Sequence, residues 1–569
     1  MIKEQIIKNI KIFLKKIGAA EEKINLSPPV DLKFGDYTTN IALQISKKIK
    51  KNPFQIAETI ANQLSKIKEI EKIEVIKPGF INFFISKKYF LSLATNLIKT
   101  LSNVNKTASF FSQKKERKLK ILLEFGQPNT HKSPHIGHLF SYIYGESLAR
   151  ILEFNSNHVW RVNYQGDIGL HVAKCLYILS SQISNIKSKK TLKEKVDLLQ
   201  SCYQKGAKNY EQDKKAREAI DKLNIEIYEK NSHLFQLWQE TRQWSLDFYR
   251  QFEKRLGIKY DRYYFESETS ITGKKIVLEN LGRVFEKSQK AVIFPGERYH
   301  LHNRVFINQY SYPTYEAKDI GLITQKMNDF DFNLSIVTTA NEQNEYWRVV
   351  TKVIELIYPN LVGKLKHIGF GMVNLTTGKM SSRTGNILDP FNLLETVKLS
   401  IKETFKIADE NLIEKIALAS IKYSFLNSDY RKNIIFDLEK SITKEGNSGP
   451  YLLYTYVRTQ SVIKKSSIRL GEILTVEDSI NLEDEELDLL RFFNQFSEVV
   501  EKSAKNLTPS LIANYLYSLA KRYNSFYQKH PILKTKESIK RLRLLITFTT
   551  GQIIKNGLYL LGIKTVEKM

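Results

Sequence analysis

An α/β domain with a parallel sheet, preceded by a small α+β domain and followed by an all-α helical bundle, is the fold the sequence predicts. Three observations predict it. A strand–helix–strand run spans Leu119 to Asn163, a separate helix-and-hairpin pattern fills the first hundred residues, and helical periodicity takes over from about residue 400. A chain of 569 residues is also too long for one hydrophobic core, and at roughly 100–200 residues per domain three or four domains are expected.

The N-terminal segment, MIKEQIIKNIKIFLKKIGAAEEK, alternates Lys with Ile and reads as an amphipathic helix over 1–17. It lacks the continuous apolar stretch of a signal peptide. A second helix is expected at 52–69. Lys72 to Ile85 reads as two strands around a Pro78-Gly79 turn. The polar stretch Ser102–Lys118 reads as a linker, so the first domain is assigned to 1–110.

Leu119-Lys-Ile-Leu-Leu-Glu-Phe125 is a short buried strand, and a helical pattern runs from His135 to about Phe154. A second strand, His158-Val-Trp-Arg-Val-Asn163, leads into Gly166-Asp167. This order is a parallel βαβ unit. Residues 185–255 are charged and helical; strand-like segments return at 291–308 and 333–339, and the α/β domain is assigned to 115–395. In the last part Leu487, Leu490, Phe493, Phe496 and Val500 recur at helical spacing. Thr508-Pro509 is an N-cap with Pro at the first helical position. Residues 396–569 are therefore read as a helical bundle.

Composition narrows the class. Apolar residues make up 42% and charged residues 26%, the balance of a soluble globular protein. No uncharged apolar run approaches the ~18 residues of a membrane span, so no membrane association and, by default, a cytoplasmic location are expected. Two cysteines, Cys175 and Cys202, exclude a disulfide framework and a Cys-rich zinc site, and read as reduced thiols. The formal charge of +28 favours a polyanionic partner, nucleic acid first, although the heavy use of Lys, Ile and Asn also fits compositional drift.

The loop after the first strand of a βαβ unit is where such sheets bind ligands. Here it delivers His135-Ile136-Gly137-His138 to a helix start, where free N–H groups and the helix dipole favour phosphate. Gly137 lets a flat ring approach the backbone. Histidines three apart share a helical face and can donate to an α-phosphate in its transition state. Alone, this is as readily a helix start with two incidental histidines, or a zinc pair lacking a nearby third ligand. A second signal is the small cationic loop Gly378-Lys379-Met380-Ser381-Ser382-Arg383-Thr384-Gly385-Asn386, suited to closing over a triphosphate or, by itself, a solvated basic turn.

Together and in this order, the two segments resemble the HIGH and KMSKS signatures of class I aminoacyl-tRNA synthetases. The resemblance implies a Rossmann-type catalytic domain, an aminoacyl-adenylate intermediate, and Mg²⁺-dependent use of ATP with no protein-bound structural metal. It implies catalytic roles for His135, His138, Lys379 and Arg383, and ATP contacts from His135, Gly137, His138, Gly166, Met380 and Ser381. The usual second lysine of the KMSKS loop is Ser382 here, with Arg383 beside it. Lys132 can supply the missing charge, as some arginyl enzymes are known to do, and the division of labour among Lys132, Lys379 and Arg383 is open.

The stretch Glu124-Phe-Gly-Gln-Pro128-Asn129-Thr-His-Lys132-Ser-Pro-His135 resembles the arginyl-tRNA synthetases in particular, with Gly126 and Gln127 where that family usually has small residues. Arg161-Val-Asn-Tyr-Gln-Gly-Asp167-Ile-Gly169 and Tyr315-Glu-Ala-Lys-Asp319-Ile-Gly321 also fit it. The resemblance implies arginine binding by Glu124, Asn129, Tyr315 and Asp319, and more loosely by Gln343. The chemistry agrees: a planar guanidinium offers five donors, carboxylates such as Asp319 and Glu124 pair it in two-pronged fashion, and Tyr315 can cover its face. The missing zinc ligands argue against a cysteinyl enzyme.

The resemblance extends to both ends. Asp31 to Asn40 and Lys77-Pro-Gly-Phe-Ile-Asn82 look like the family's extra N-terminal domain, which contacts the tRNA elbow. Glu445 to Arg458 looks like its anticodon-binding helical domain, with Tyr451, Tyr454, Arg458 and the terminal Met569 as implied anticodon contacts. The partners implied are ATP, L-arginine and tRNA(Arg), acting on a monomer, with arginine activation that awaits bound tRNA. Two rivals stand beside this reading. A nucleotidyltransferase of the same fold that works without RNA is opposed by the helical C-terminal domain and the charge. A noncatalytic RNA-binding paralogue is opposed by the intact His135, His138 and Lys379, while Ser382 keeps it open.

Overall fold

The computed structural model describes residues 2–29, 31–101, 118–182, 189–230, 234–376, 389–473 and 480–569. The expected linker at 102–118, except Lys118, lies outside them. So does the cationic loop with Lys379, Met380, Ser381, Ser382 and Arg383. The chain forms two compact units. One comprises residues 1–104, 458–498 and 518–554; the other comprises 105–457, 499–517 and 555–569.

In the first unit the helix Ile2–Lys16 buries Ile2, Ile6, Ile10 and Leu14, one stripe at a spacing of four that the Lys/Ile alternation creates. The helix Pro53–Leu64 opens on Asn52, whose side chain accepts from the Phe54 N–H, with Pro53 at its first position. The strands β1 (Leu26–Ser27), β2 (Tyr37–Thr39), β3 (Ile70–Ile76) and β4 (Phe80–Ile85) form an antiparallel sheet in the order β1-β2-β4-β3. The expected hairpin is β3–β4. Contacts within this unit also join distant sequence: Arg491 pairs with Asp36 at 2.7 Å, and Tyr37 donates to Glu498 at 3.1 Å. Asn494 in turn donates to the Tyr37 hydroxyl at 2.8 Å.

The second unit contains the expected βαβ element: β5 (Lys120–Glu124), the helix Ile136–Phe154 and β6 (His158–Gln165). Among the described residues the α-helices Leu170–Leu179, Leu192–Gln212, Lys214–Tyr228 and Phe235–Leu256 follow before β7 (Arg262–Phe265). They share an apolar core that includes Val172, Cys175, Leu176, Leu199, Cys202, Ile220 and Trp238, so both thiols are buried and free. A small antiparallel sheet, β8 (Glu286–Ser288), β9 (Ala291–Phe294) and β10 (Arg304–Ile307), comes next. The chain then returns to the main sheet as β11 (Leu334–Ala340) and β12 (Leu365–Phe370).

The main sheet has the order β12-β11-β5-β6-β7 with every pair parallel. The chain moves outward from β5 through β6 and β7, then crosses back to place β11 on the other side of β5. The carboxyl ends of β5 and β11 therefore flank the point where winding reverses, where sheets of this kind open a ligand crevice. One expectation fails. The region after residue 400 is not helical throughout, because β14 (Ile434–Phe436) pairs in parallel with β13 (Val373–Leu375). A three-residue strand is too short to imprint a period on the sequence. It is anchored by Asn433, whose side chain accepts from the Met372 N–H at 3.0 Å. No helix among the described residues is long and apolar enough to cross a membrane.

Candidate active site

The loop that leaves β5 is bent by three residues of positive φ, Gly126 (95°), Gln127 (55°) and His131 (62°). Two of these are not glycine, and such strain persists only where the surroundings over-determine it. The surroundings do so here. Asn129 bridges to Gly166 across the ends of β5 and β6, and the Thr130 N–H donates to the Gly166 carbonyl at 2.8 Å. A Cβ on Gly166 would lie 2.1 Å from the Asn129 side-chain oxygen, so glycine there makes room for Asn129. His131 is fully buried between Thr130 and Thr241 hydroxyls at 2.9 and 2.8 Å. Burial pushes its pKa down to about 3, and it is a neutral structural residue.

His135 is the N-cap of the helix Ile136–Phe154. Its Nδ1 accepts from the Gly137 N–H at 3.1 Å, and the Nδ1 of His138 accepts from the His135 N–H at 3.1 Å. The rings lie 3.9 Å apart. Burial, and then the charge of Lys132, holds His135 below the usual histidine range. Burial, followed by His135 and Lys132, lowers His138 further. A neutral ring whose Nδ1 accepts carries its proton on Nε2. The capping geometry thus selects one tautomer for both histidines, with Nε2–H as the donor edge; the His138 ring also bonds the Gln127 backbone. Gly137 also makes room for the cap: a Cβ there would meet the His135 ring at 2.9 Å.

Lys132 is half-buried, with its ammonium 5.8 Å from the centre of the Tyr203 ring and its carbonyl accepting from the Tyr249 hydroxyl at 2.8 Å. Burial lowers its pKa. Among the described residues it has no salt bridge, and its charge reaches both site histidines.

Three buried carboxylates belong to the same region. Glu124, 1% exposed at the end of β5, is ion-paired with Lys326 and accepts from the Gln127 amide at 2.5 Å. Glu266 pairs with Lys318 at 2.5 Å. Asp319 accepts from the Tyr346 hydroxyl and has no ion-pair partner among the described residues. Burial pushes its pKa up to about 8, against the Tyr346 hydrogen bond, with the charge of Glu124 assisting and that of Lys326 opposing. Of the two guanidinium acceptors expected, Glu124 already has a cation and Asp319 does not. Tyr315, one turn before Asp319 on the helix Tyr315–Asp329, is 57% exposed with its ring 4.9 Å from the Lys318 ammonium. Gln343 is exposed on the short turn that follows β11, at the same edge of the sheet but with no described contact to Asp319.

Sequence reasoning missed Lys326, Lys318, Glu266 and Tyr346. Lys326 had a signal, since it stands seven residues after Asp319 on one helical face. Glu266 and Tyr346 come from distant elements and carry none. Asp167 was noted only as part of a stretch. It is fully buried, held by Arg242 at 2.6 Å and by the Ser267 hydroxyl and N–H at 2.6 and 2.9 Å, which fixes the turn after Gly166.

The anticodon candidates are more scattered. Tyr451 and Tyr454 are half-buried on the helix Gly449–Ser466, with the Tyr451 ring edge-on to Tyr517 at 5.8 Å. Arg458 donates to Asn524 at 2.6 Å and lies over the Tyr527 ring at 4.8 Å. Met569 is half-buried at the chain end.

Comparison with known proteins bears on this geometry. Residues 2–85 match the arginyl tRNA synthetase N-terminal domain, residues 99–438 the catalytic domain of tRNA synthetases class I (R), and residues 452–569 the DALR anticodon binding domain. The chain is 31% identical to an arginine–tRNA ligase of Fusobacterium nucleatum, over 94% of each chain. It is 29% identical to one of Borrelia hermsii, over 100% of this chain and 99% of that one. Its fold superposes on the Thermus thermophilus arginyl-tRNA synthetase with a TM-score of 0.81 at 22% identity, each chain fully covered. For the Plasmodium falciparum enzyme the TM-score is 0.79 at 23% identity, covering 100% of this chain and 98% of that one.

Proposed function

This chain belongs to the arginyl-tRNA synthetase family, and from that premise we propose how its residues share the work. As an arginine–tRNA ligase it activates L-arginine with ATP, forming arginyl-adenylate, and transfers the arginyl group to the 3′ end of tRNA(Arg). The observation that carries the assignment is the His135–His138 capping pair at the switch point of the sheet, with Asp319 buried in the same unit and free of any direct ion pair among the described residues.

The guanidinium of arginine binds the Asp319 carboxylate and is covered by Tyr315. Glu124 and Gln343 complete the pocket from the sheet edge, and Asn129 orients the α-ammonium or α-carboxylate. The adenosine part of ATP lies over Gly137 and Gly166. The arginine carboxylate attacks the α-phosphorus in line. His135 and His138 donate from Nε2 to the charge that builds there, a transition-state effect of ~10²–10³ in rate for one such donor. Lys132 faces the phosphates from the β5 loop; Lys379, Met380, Ser381 and Arg383 close over them and stabilise the departing pyrophosphate. No side-chain nucleophile is required, because positioning and charge carry the reaction.

Mg²⁺ arrives on the ATP phosphates. An ion of this kind is held mainly by the nucleotide's phosphates and water. Residues 1–110 contact the tRNA body, 115–395 hold the chemistry, and 396–569 read the anticodon through Tyr451, Tyr454, Arg458 and Met569. The enzyme works as a cytoplasmic monomer and activates arginine only with tRNA bound. Arginine-dependent ATP–pyrophosphate exchange, run with and without tRNA on the wild type and on His135→Ala, tests the reading. Exchange by the wild type that His135→Ala leaves unchanged would overturn the catalytic assignment.

A further inference from the structure

The helices between β6 and β7 carry no motif, yet three of their side chains converge on the short loop that presents Lys132. The Tyr249 hydroxyl, on the helix Phe235–Leu256, lies 2.6 Å from the Asn129 carbonyl and 2.8 Å from the Lys132 carbonyl, pinching the loop between the arginine side and the ATP side. The Gln200 side chain, on the helix Leu192–Gln212, accepts from the Ser133 N–H at 2.7 Å. Tyr203, three residues further along the same face, offers its ring to the Lys132 ammonium at 5.8 Å. The Tyr203 hydroxyl is also among the groups that act electrostatically on Tyr315, so the residue sits where the two substrate sides meet. Lys132 makes no salt bridge among the described residues, Glu266 acting on it only at longer range, and these contacts are what hold it.

We propose that Tyr203, Gln200 and Tyr249 are positioning residues for the pyrophosphate-releasing step: Tyr203 aims the Lys132 ammonium at the phosphates, and Gln200 and Tyr249 lock the backbone that carries it. The inference rests on the reading of Lys132 as the charge that stands in for the lysine replaced by Ser382. It predicts an effect on turnover rather than on arginine binding, because the ammonium meets charge that grows as pyrophosphate leaves. It also assigns a catalytic use to a helical segment whose sequence shows only charge and helical periodicity.

The test is a double-mutant cycle in arginine-dependent ATP–pyrophosphate exchange, with the full chain and saturating tRNA. Tyr203→Leu is expected to lower kcat about tenfold, the upper part of what one cation–π contact contributes, with the KM for arginine within about twofold of wild type. Tyr203→Phe keeps the ring and is expected to retain wild-type kcat. Tyr249→Phe, which removes only the hydroxyl, is expected to lower kcat about fivefold. Lys132→Met should lower kcat more than any of these, and adding Tyr203→Leu to it should bring little further loss. If Lys132→Met is harmless, the reading of Lys132 fails. If it is harmful but Tyr203→Leu is silent, or multiplies fully with it, the positioning role fails while the Lys132 reading stands. Tyr203→Met, which fills the space without a π face, replaces Tyr203→Leu if that variant does not fold.

Discussion

Arginine should displace a proton when it binds. Asp319 is buried with no cation in direct contact among the described residues, and its pKa is pushed up to about 8. At pH 7 about nine in ten ligand-free molecules therefore hold it protonated, and ionising it for the guanidinium costs ~1.4 kcal/mol, a tenfold loss of affinity. The sign follows from the two states. The raised pKa belongs to the empty site, and a guanidinium in contact lowers it, so binding releases a proton and affinity rises with pH until about 8. The ionised fraction grows from ~1% at pH 6 to ~50% at pH 8, so the KM for arginine should fall about 50-fold over that range and then level off. Arginine itself does not change charge there. Glu253 also titrates near this window, pushed up to about 7 by burial. It is bonded to Tyr142, Asn163 and Tyr263 rather than facing Asp319, so its ionisation should enter kcat and leave the arginine term alone. The direct assay is calorimetry of arginine binding, with tRNA present, in two buffers of different ionisation enthalpy at pH 7. Release of about 0.9 proton is expected for the wild type, and no release for any residual binding by Asp319→Asn. Proton release near zero in the wild type, together with a flat KM between pH 6 and 8, would refute the reasoning.

Other perturbations follow from the same geometry. His135→Ala should lower kcat for exchange by ~10²–10³ with a small change in the KM for arginine, because the lost donor acts in the transition state. Gly166→Ala places a Cβ 2.1 Å from the Asn129 side chain, so the KM for arginine should rise at least tenfold, read in steady-state exchange, while overall fold by circular dichroism is retained. Lys326→Met strands the Glu124 charge at 1% exposure and should destabilise by ~3–5 kcal/mol in denaturant unfolding; Lys326→Met with Glu124→Gln should recover most of that.

Much of this site is legible in the sequence, and the remainder is hidden for a physical reason. The βαβ unit is visible because a buried strand and an apolar helix each impress their own period. The histidine pair is visible because chemistry at a helix start needs particular residues at fixed spacing, here three apart. The function of the pair as a capping unit is not visible, since which ring nitrogen accepts depends on the fold of the loop. Asp319 is found through the family resemblance of the stretch Tyr315–Gly321, but its lack of a direct ion pair is a fact about Lys318 and Lys326, which turn instead to Glu266 and Glu124. Those partners lie 52 and 202 residues away, and no local pattern encodes a choice made across the sheet. Residues 434–436 were missed for the opposite reason, being too few to carry any period.

The charge arrangement around Asp319 accounts for selectivity as well as affinity. Two of the three buried carboxylates have lysines in direct contact, whereas Asp319 has only the longer-range charge of Lys326 and holds a proton instead. A ligand must therefore bring one positive charge and place it within reach of a single carboxylate already engaged by Tyr346. A neutral analogue of arginine brings no charge, so Asp319 would either stay protonated or be left ionised and unpaired in a buried site. Lysine brings the charge on a compact ammonium, which cannot present parallel donors to a carboxylate or a flat face to Tyr315. Lys318 and Lys326 sharpen this discrimination from within. By pairing with Glu266 and Glu124 they weaken the negative field that would attract any cation, and geometry at Asp319 decides which cation stays.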